Sequence, residues 1–225
     1  MTKVFEHREA VKLRKNGKSY SEIKEVVRVS KSSLSLWLKE IHLTESQIKR
    51  LKGKKERAIE RFRETMRLKR ENRLSEYYGN QKKRWIPLSK RELFIAGLFL
   101  YWGEGNKASW NTISISNTDP TMLKFSLMWM TRSLKIPKNS IKISLQLYSD
   151  MNIEETVSYW DRILGLQRRQ FTKPYIKKTK REGVDQKGFG HGTCNLVVQG
   201  TVLKENVLMA IKAIADYYSK PKRNS

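Results

Sequence analysis

Apolar positions recur along this chain at two spacings, and the spacing changes near residue 105. Before that point the pattern is helical. Phe5 to Lys15 predicts a first helix, stopped by Asn16-Gly17. Ser19 or Ser21 can cap a second helix that turns Ile23, Val26 and Val27 inward. A tight turn at Arg28-Val29 leads to Ser30, the cap of a third helix over Lys31 to Glu40, with Leu34, Trp37 and Leu38 inward. From Thr44 to about Asn80 a long helix or helix pair carries only a thin stripe of Ile48, Leu51, Ile59, Phe62, Met66 and Leu68. Gly53 is a candidate break in it, and Tyr77-Tyr78-Gly79-Asn80 a candidate end. Ser89-Lys90-Arg91-Glu92 fits a capping box at the head of a helix from Lys90 to Gly103. That helix is apolar all round, which predicts burial on most of its surface. It ends on one carboxylate, Glu104, between Gly103 and Gly105.

After Gly105 short alternating runs take over. Thr112 to Asn117 alternates strictly and predicts a half-buried strand. Asp119-Pro120 predicts a helix start, with Leu123, Leu127, Met130 and Leu134 on one face. Ile141 to Tyr148 is the cleanest strand, with Ile141, Ile143, Leu145 and Leu147 inward and Lys142, Ser144, Gln146 and Tyr148 outward. A helix follows over Ile153 to Leu164, with Ile153, Val157 and Trp160 inward and Gly165 as its C-cap. Phe171 to Lys177 predicts an edge strand because of Pro174. Thr193 to Val198 predicts a strand, and Leu203 to Tyr218 a closing amphipathic helix. The fold class expected is α+β: an all-α unit at 1–43, a basic helical linker at 44–88, an α/β domain at 89–219 and a basic tail at 220–225.

Composition then narrows the partners. The 225 residues hold 47 Lys and Arg against 22 Asp and Glu, a formal net charge of +25. Between Lys49 and Arg73 alone there are twelve basic residues against four acids. Such an excess favours a polyanion, and nucleic acid first, because neutralised phosphates release their counterions. Lys177, Lys178, Lys180 and Arg181 form a basic loop. The single cysteine, Cys194, excludes an intrachain disulfide and fits a reducing compartment. No Cys/His cluster has zinc spacing. The N-terminus is no signal peptide, and Leu93 to Trp102 falls well short of the ~20 residues of a membrane span. A cytoplasmic protein with no membrane partner is expected.

The segments Gly17-Lys18-Ser19-Tyr20-Ser21-Glu22-Ile23 and Val29-Ser30-Lys31-Ser32-Ser33-Leu34-Ser35-Leu36-Trp37-Leu38 resemble the helix-turn-helix of resolvase-type DNA-binding domains. That resemblance places Lys31, Ser32, Ser33 and Ser35 at base edges in the major groove, with Leu36 near a thymine methyl. The run Ala96-Gly97-Leu98-Phe99-Leu100-Tyr101-Trp102-Gly103-Glu104-Gly105, followed by a strand and an Asn-Thr-Asp-Pro helix start, resembles the LAGLIDADG homing-endonuclease family. The closest likeness is to single-motif members fused to a helix-turn-helix. The resemblance implies a saddle of strands on double-stranded DNA and a homodimer packed through the 90–104 helix. It also implies Mg²⁺-dependent cleavage with Glu104 as metal ligand and catalytic acid. Candidate DNA contacts on the saddle are Lys142, Ser144 and Gln146, with Asn195 beside them. Candidate catalytic lysines are Lys142 and Lys173. One motif gives one Glu104 per chain, so a shared metal site needs two chains. A related group of transcription regulators keeps the fold without cleavage, and binding without cutting is the alternative reading. In that case Lys107, just past the motif, can offset the negative helix end without a metal.

Overall fold

The computed structural model describes residues 3–180 and 190–219, and the chain divides into two units, Met1–Ile86 and Pro87–Ser225. Mixed helix and sheet is found, with the sheet confined to the second unit. No described helix is long and apolar enough to cross a membrane.

The first unit is helical. Helix α1 (Val4–Lys15) stops where Gly17 takes a left-handed φ of +88°. Helix α2 (Tyr20–Val26) starts in a capping box. The Ser19 side chain accepts from the Glu22 N–H, and the Glu22 carboxylate returns to the Ser19 N–H at 2.8 Å. Helix α3 (Lys31–Leu38) is capped by Ser30. Ala10, Ile23, Val27, Val29, Leu34 and Leu38 close a small core between the three. Val26, expected inward, is 62% exposed, because the chain leaves the helix at Val27 and that residue takes the core position.

Helix α4 (Glu45–Arg50) has its own Thr44/Gln47 capping box, and Leu51 and Ile48 pack with Leu43 beneath it. Gly53 is the N-cap of helix α5 (Lys54–Trp85), so the break expected there is present. The end expected at Tyr77–Asn80 is not. Gly79 sits within α5, where its cost of about 1 kcal/mol relative to alanine does not interrupt a long ladder. The helix stops only where Pro87 forces Ile86 into extended backbone, φ −116° and ψ 134°. A buried ion pair, Arg14 to Glu60 at 2.7 Å, joins α1 to α5, and the Ser19 hydroxyl reaches Glu56 at 2.9 Å. Residues 44–60 therefore fold together with the first three helices.

In the second unit, helix α6 (Lys90–Glu104) leads to β1 (Thr112–Asn117), α7 (Pro120–Arg132), β2 (Lys142–Tyr148) and α8 (Ile153–Leu164). A short edge strand β3 (Tyr175–Lys177), β4 (Thr193–Gln199) and α9 (Thr201–Ser219) complete it. The sheet order is β1-β4-β2-β3, antiparallel except for β2 with β3. Ile113, Ile115, Ile143, Leu145, Leu147, Cys194, Leu196 and Val198 form the core face, covered by Leu98 and Tyr101 of α6, Trp129 of α7, Trp160 of α8 and Val207 of α9. Two expectations shift. Ile153 is 45% exposed because it opens the first turn of α8, ahead of the packed stretch. The strand expected from Phe171 begins only after Pro174, although Thr172 N–H still donates to the Ile143 carbonyl at 2.8 Å.

Candidate nucleic-acid interface

Helix α6 does not bury its whole circumference. Gly97, Leu98 and Tyr101 are buried, whereas Phe99 is 48% and Trp102 43% exposed, their rings 5.8 Å apart. The buried side is set by Gly97: a Cβ there would lie 1.9 Å from Cδ1 of Trp129. Glycine thus admits α7 to close contact within the chain, and the Trp129 indole N–H donates to the Phe94 carbonyl at 3.2 Å. Gly103, by contrast, faces open space.

Glu104 is the last residue of α6 and is exposed. Asn117 Nδ2, at the end of β1, reaches its Oε2 at 3.5 Å. The negative end of the helix is offset by two lysines. Lys107 Nζ donates to the Trp102 carbonyl at 2.9 Å. Lys204 of α9 is fully buried and donates to the Tyr101 hydroxyl and to the Asn106 carbonyl at 2.5 Å. Tyr101 itself donates to the same carbonyl at 2.6 Å. Burial holds the Lys204 ammonium below the usual lysine range, with the Lys107 charge acting in the same direction, and burial pushes the Tyr101 hydroxyl up to about 12. Lys204 escaped the sequence reading, although its three-four spacing with Val207 and Ile211 places a cation on the buried face of α9.

Among the described residues no three His, Cys, Asp or Glu side chains gather where they could hold a metal ion. Among the described residues Glu104 is joined by the Asn117 amide, and a single carboxylate leaves most of an octahedral Mg²⁺ shell to water, phosphate or a second chain. The candidate lysines do not join them. Lys142 pairs with Val197, itself opposite Ser114. It therefore stands two strands away from the Asn117 end of β1 and about 10 Å along the strand direction. Lys173 is exposed on the approach to the opposite edge strand.

The sheet presents a second face, away from the core. Across it run Ser116–Asn195–Ser144, then Ser114–Val197–Lys142, then Thr193–Gln146, in direct cross-strand register. Most of these side chains are partly exposed, Ser114 is buried and Lys142 is exposed. At its centre the Asn195 Oδ1 is buried and has no hydrogen-bond donor among the described residues. Tyr148 and Lys177 lie side by side at the β3 edge, the ammonium 4.9 Å from the ring centre. Lys178 and Lys180 are exposed beyond it; Arg181 lies outside the described residues. The structure thus brings Lys142, Ser144, Gln146 and Asn195 onto one surface and puts Lys177 at its rim.

In the first unit Lys31, Ser32, Ser35 and Leu36 are exposed along one side of α3. Ser33 is half-buried and engaged with Ser30 Oγ at 2.9 Å, so its hydroxyl serves the cap rather than standing clear. Comparison with family models, with curated proteins and with solved structures returns no match, so the functional reading rests on these residues and their placement.

Proposed function

We propose that the chain is a sequence-preferring, double-stranded DNA-binding protein, its first unit a helix-turn-helix and its second a LAGLIDADG-like saddle. The observation that carries this reading is the polar sheet face, where amide, hydroxyl and ammonium side chains stand in cross-strand rows with no helix-packing apolar residue except Val197 among them. Gln146 has the donor–acceptor pair that matches adenine, and Lys142 suits guanine acceptors. Lys31, Ser32 and Ser35 on α3 supply a second, weaker set of base contacts. Lys177, Lys178, Lys180 and Arg181 supply phosphate contacts, and the net charge of +25 supports binding at long range.

The exposed Phe99 and Trp102 favour a homodimer paired along α6, which would bring two Glu104 side chains together. On that observation rests a second reading, a Mg²⁺-dependent endonuclease with a site shared between chains. Binding without cleavage, as in a transcription regulator, needs only the sheet face and α3 present in one chain, and is the function the geometry supports best.

The test is to select bound duplexes from random sequence and then incubate the enriched site with Mg²⁺ or Mn²⁺. Enrichment of one site that stays intact is the expected result. Cutting that Glu104→Gln abolishes would establish the endonuclease instead. Failure to enrich any duplex would overturn the DNA-binding reading.

A further inference from the structure

The first unit contains a cleft of about 680 Å³ between the α3–α4 segment and α5, within the size range of small-molecule sites. Its floor is apolar: Leu38 and Leu43 on one wall, Phe62 and Met66 on the other. Phe62 and Met66 are 65% and 48% exposed, although they lie inside a walled depression. Its far end is cationic. Arg70 and Arg73 line the cleft and form no ion pair among the described residues. The neighbouring arginines are committed elsewhere: Arg63 to Glu60 at 2.6 Å, and Arg67 to both Glu64 and Glu71. Glu60, Glu64 and Glu71 also line it, but each is held by Arg14, Arg63 or Arg67, so Arg70 and Arg73, a few turns past Phe62 and Met66, are the cationic groups left for a ligand. From Phe62 to Arg73 α5 rises about 16 Å at 1.5 Å per residue.

We propose that this cleft binds a small amphipathic anion, a carboxylate or phosphate on an aliphatic chain of about ten carbons, its tail over Phe62 and Met66 and its head at Arg70 and Arg73. The apolar floor offers a phosphodiester backbone nothing to bind, which disfavours nucleic acid here. A second copy is disfavoured by charge, since α5 carries twelve Lys and Arg against five Glu, or +7, and two such helices repel. The anionic head meets complementary charge and the tail removes exposed apolar surface from water. Ser35 of α3 and Lys39 at its C-cap also line the cleft, so an occupant touches the helix assigned above to DNA. This consequence, unlike the site, rests on the DNA-binding reading: a bound anion next to α3 weakens attachment to phosphates.

The test titrates the full chain by calorimetry, without DNA, with decanoate and with decyl phosphate below their micelle concentrations. Saturable one-to-one binding of at least one is expected, and the tighter of the two identifies the head group. Arg70→Glu with Arg73→Glu, and separately Met66→Asp, should each weaken it tenfold or more. Lys90→Glu with Lys124→Glu, an equal charge change in the second unit, should leave it unchanged. These are exposed positions, and a circular-dichroism melt verifies that each variant folds. The site is overturned if no saturable heat appears, if decanol or inorganic phosphate binds equally well, or if the charge-matched control loses as much. The effect on α3 is then read as a severalfold loss of duplex affinity on adding the anion. A chain that binds the anion but no duplex would sink the DNA-binding reading and leave the site standing.

Discussion

Gly97 and Gly103 lie on the same helix and are held by different constraints. A methyl group at Gly97 would collide with the Trp129 ring, whereas one at Gly103 meets nothing within 4 Å. Gly97→Ala should therefore destabilise the second unit by about 1–3 kcal/mol despite its better helix propensity. Gly103→Ala should be neutral or stabilising by up to about 1 kcal/mol. Urea denaturation of the two variants distinguishes them, and equal effects would contradict the packing. Tyr101 gives a pH signature. Its folded value is raised above the ordinary 10, so the stability it contributes is present below about pH 10 and is lost as pH rises toward 12. Lys204 acts with the opposite sign: its folded value is lowered, so stability rises with pH up to the ordinary lysine value. Tyr101→Phe leaves the Lys204 ammonium with one acceptor fewer and should cost about 1–3 kcal/mol at neutral pH. It should also remove the Tyr101 share of the alkaline loss above pH 10, leaving that of Tyr20, as followed by thermal melts across that range.

At the scale of elements, the Arg14–Glu60 pair decides whether α5 is a tether or part of the first unit's body. Both partners are buried, and Arg14 further donates to the carbonyls of Ile41 at 3.0 Å and Lys18 at 3.1 Å. Glu60→Ala leaves that guanidinium buried without its carboxylate and should cost about 3–5 kcal/mol in the first unit. The second unit's own transition should not move, and calorimetry that resolves the two transitions checks this. Capped helix ends were legible because caps are local. Ser89 with Glu92, Asp119 with Pro120, and Gly165 all sit where the sequence placed them. The end of α5 was not, since a lone Gly79 costs less than the helix gains while Pro87 acts by steric exclusion. Val26 and Ile153 were misjudged for a different reason. Periodicity gives a face, but only tertiary contact decides where along that face burial begins. On the proposed dimer, Phe99→Asp with Trp102→Asp should convert the chain to a monomer in sedimentation equilibrium while leaving its circular dichroism unchanged. A wild type that is already monomeric on DNA would remove the pairing.

For the molecule as a whole, charge and pattern point to the proposed class of partner more readily than to the surface that would meet it. The alternation from Ile141 to Tyr148 exposed Lys142, Ser144 and Gln146 in advance. The row through Asn195 and Ser116 depends on strand order, which places β4 between β1 and β2 and cannot be read from any one segment. Glu104 was equally plain as a residue, but its hydrogen-bond partner Asn117, and the buried Lys204 that holds Tyr101 and Asn106 nearby in sequence, come from other stretches. Lys142 and Lys173 share only chemistry with it: Lys142 lies on β2 and Lys173 in the loop before β3. The most direct measurement is fluorescence anisotropy of the full chain with its selected duplex and with a scrambled duplex, over a series of salt concentrations. The selected site should bind more tightly at every salt, with log affinity falling linearly in log salt for both. Gln146→Ala should cost about 1–3 kcal/mol on the selected site and little on the scrambled one. Equal affinity for the two duplexes, or a Gln146→Ala variant that loses nothing on the selected site, would contradict sequence reading by the sheet face.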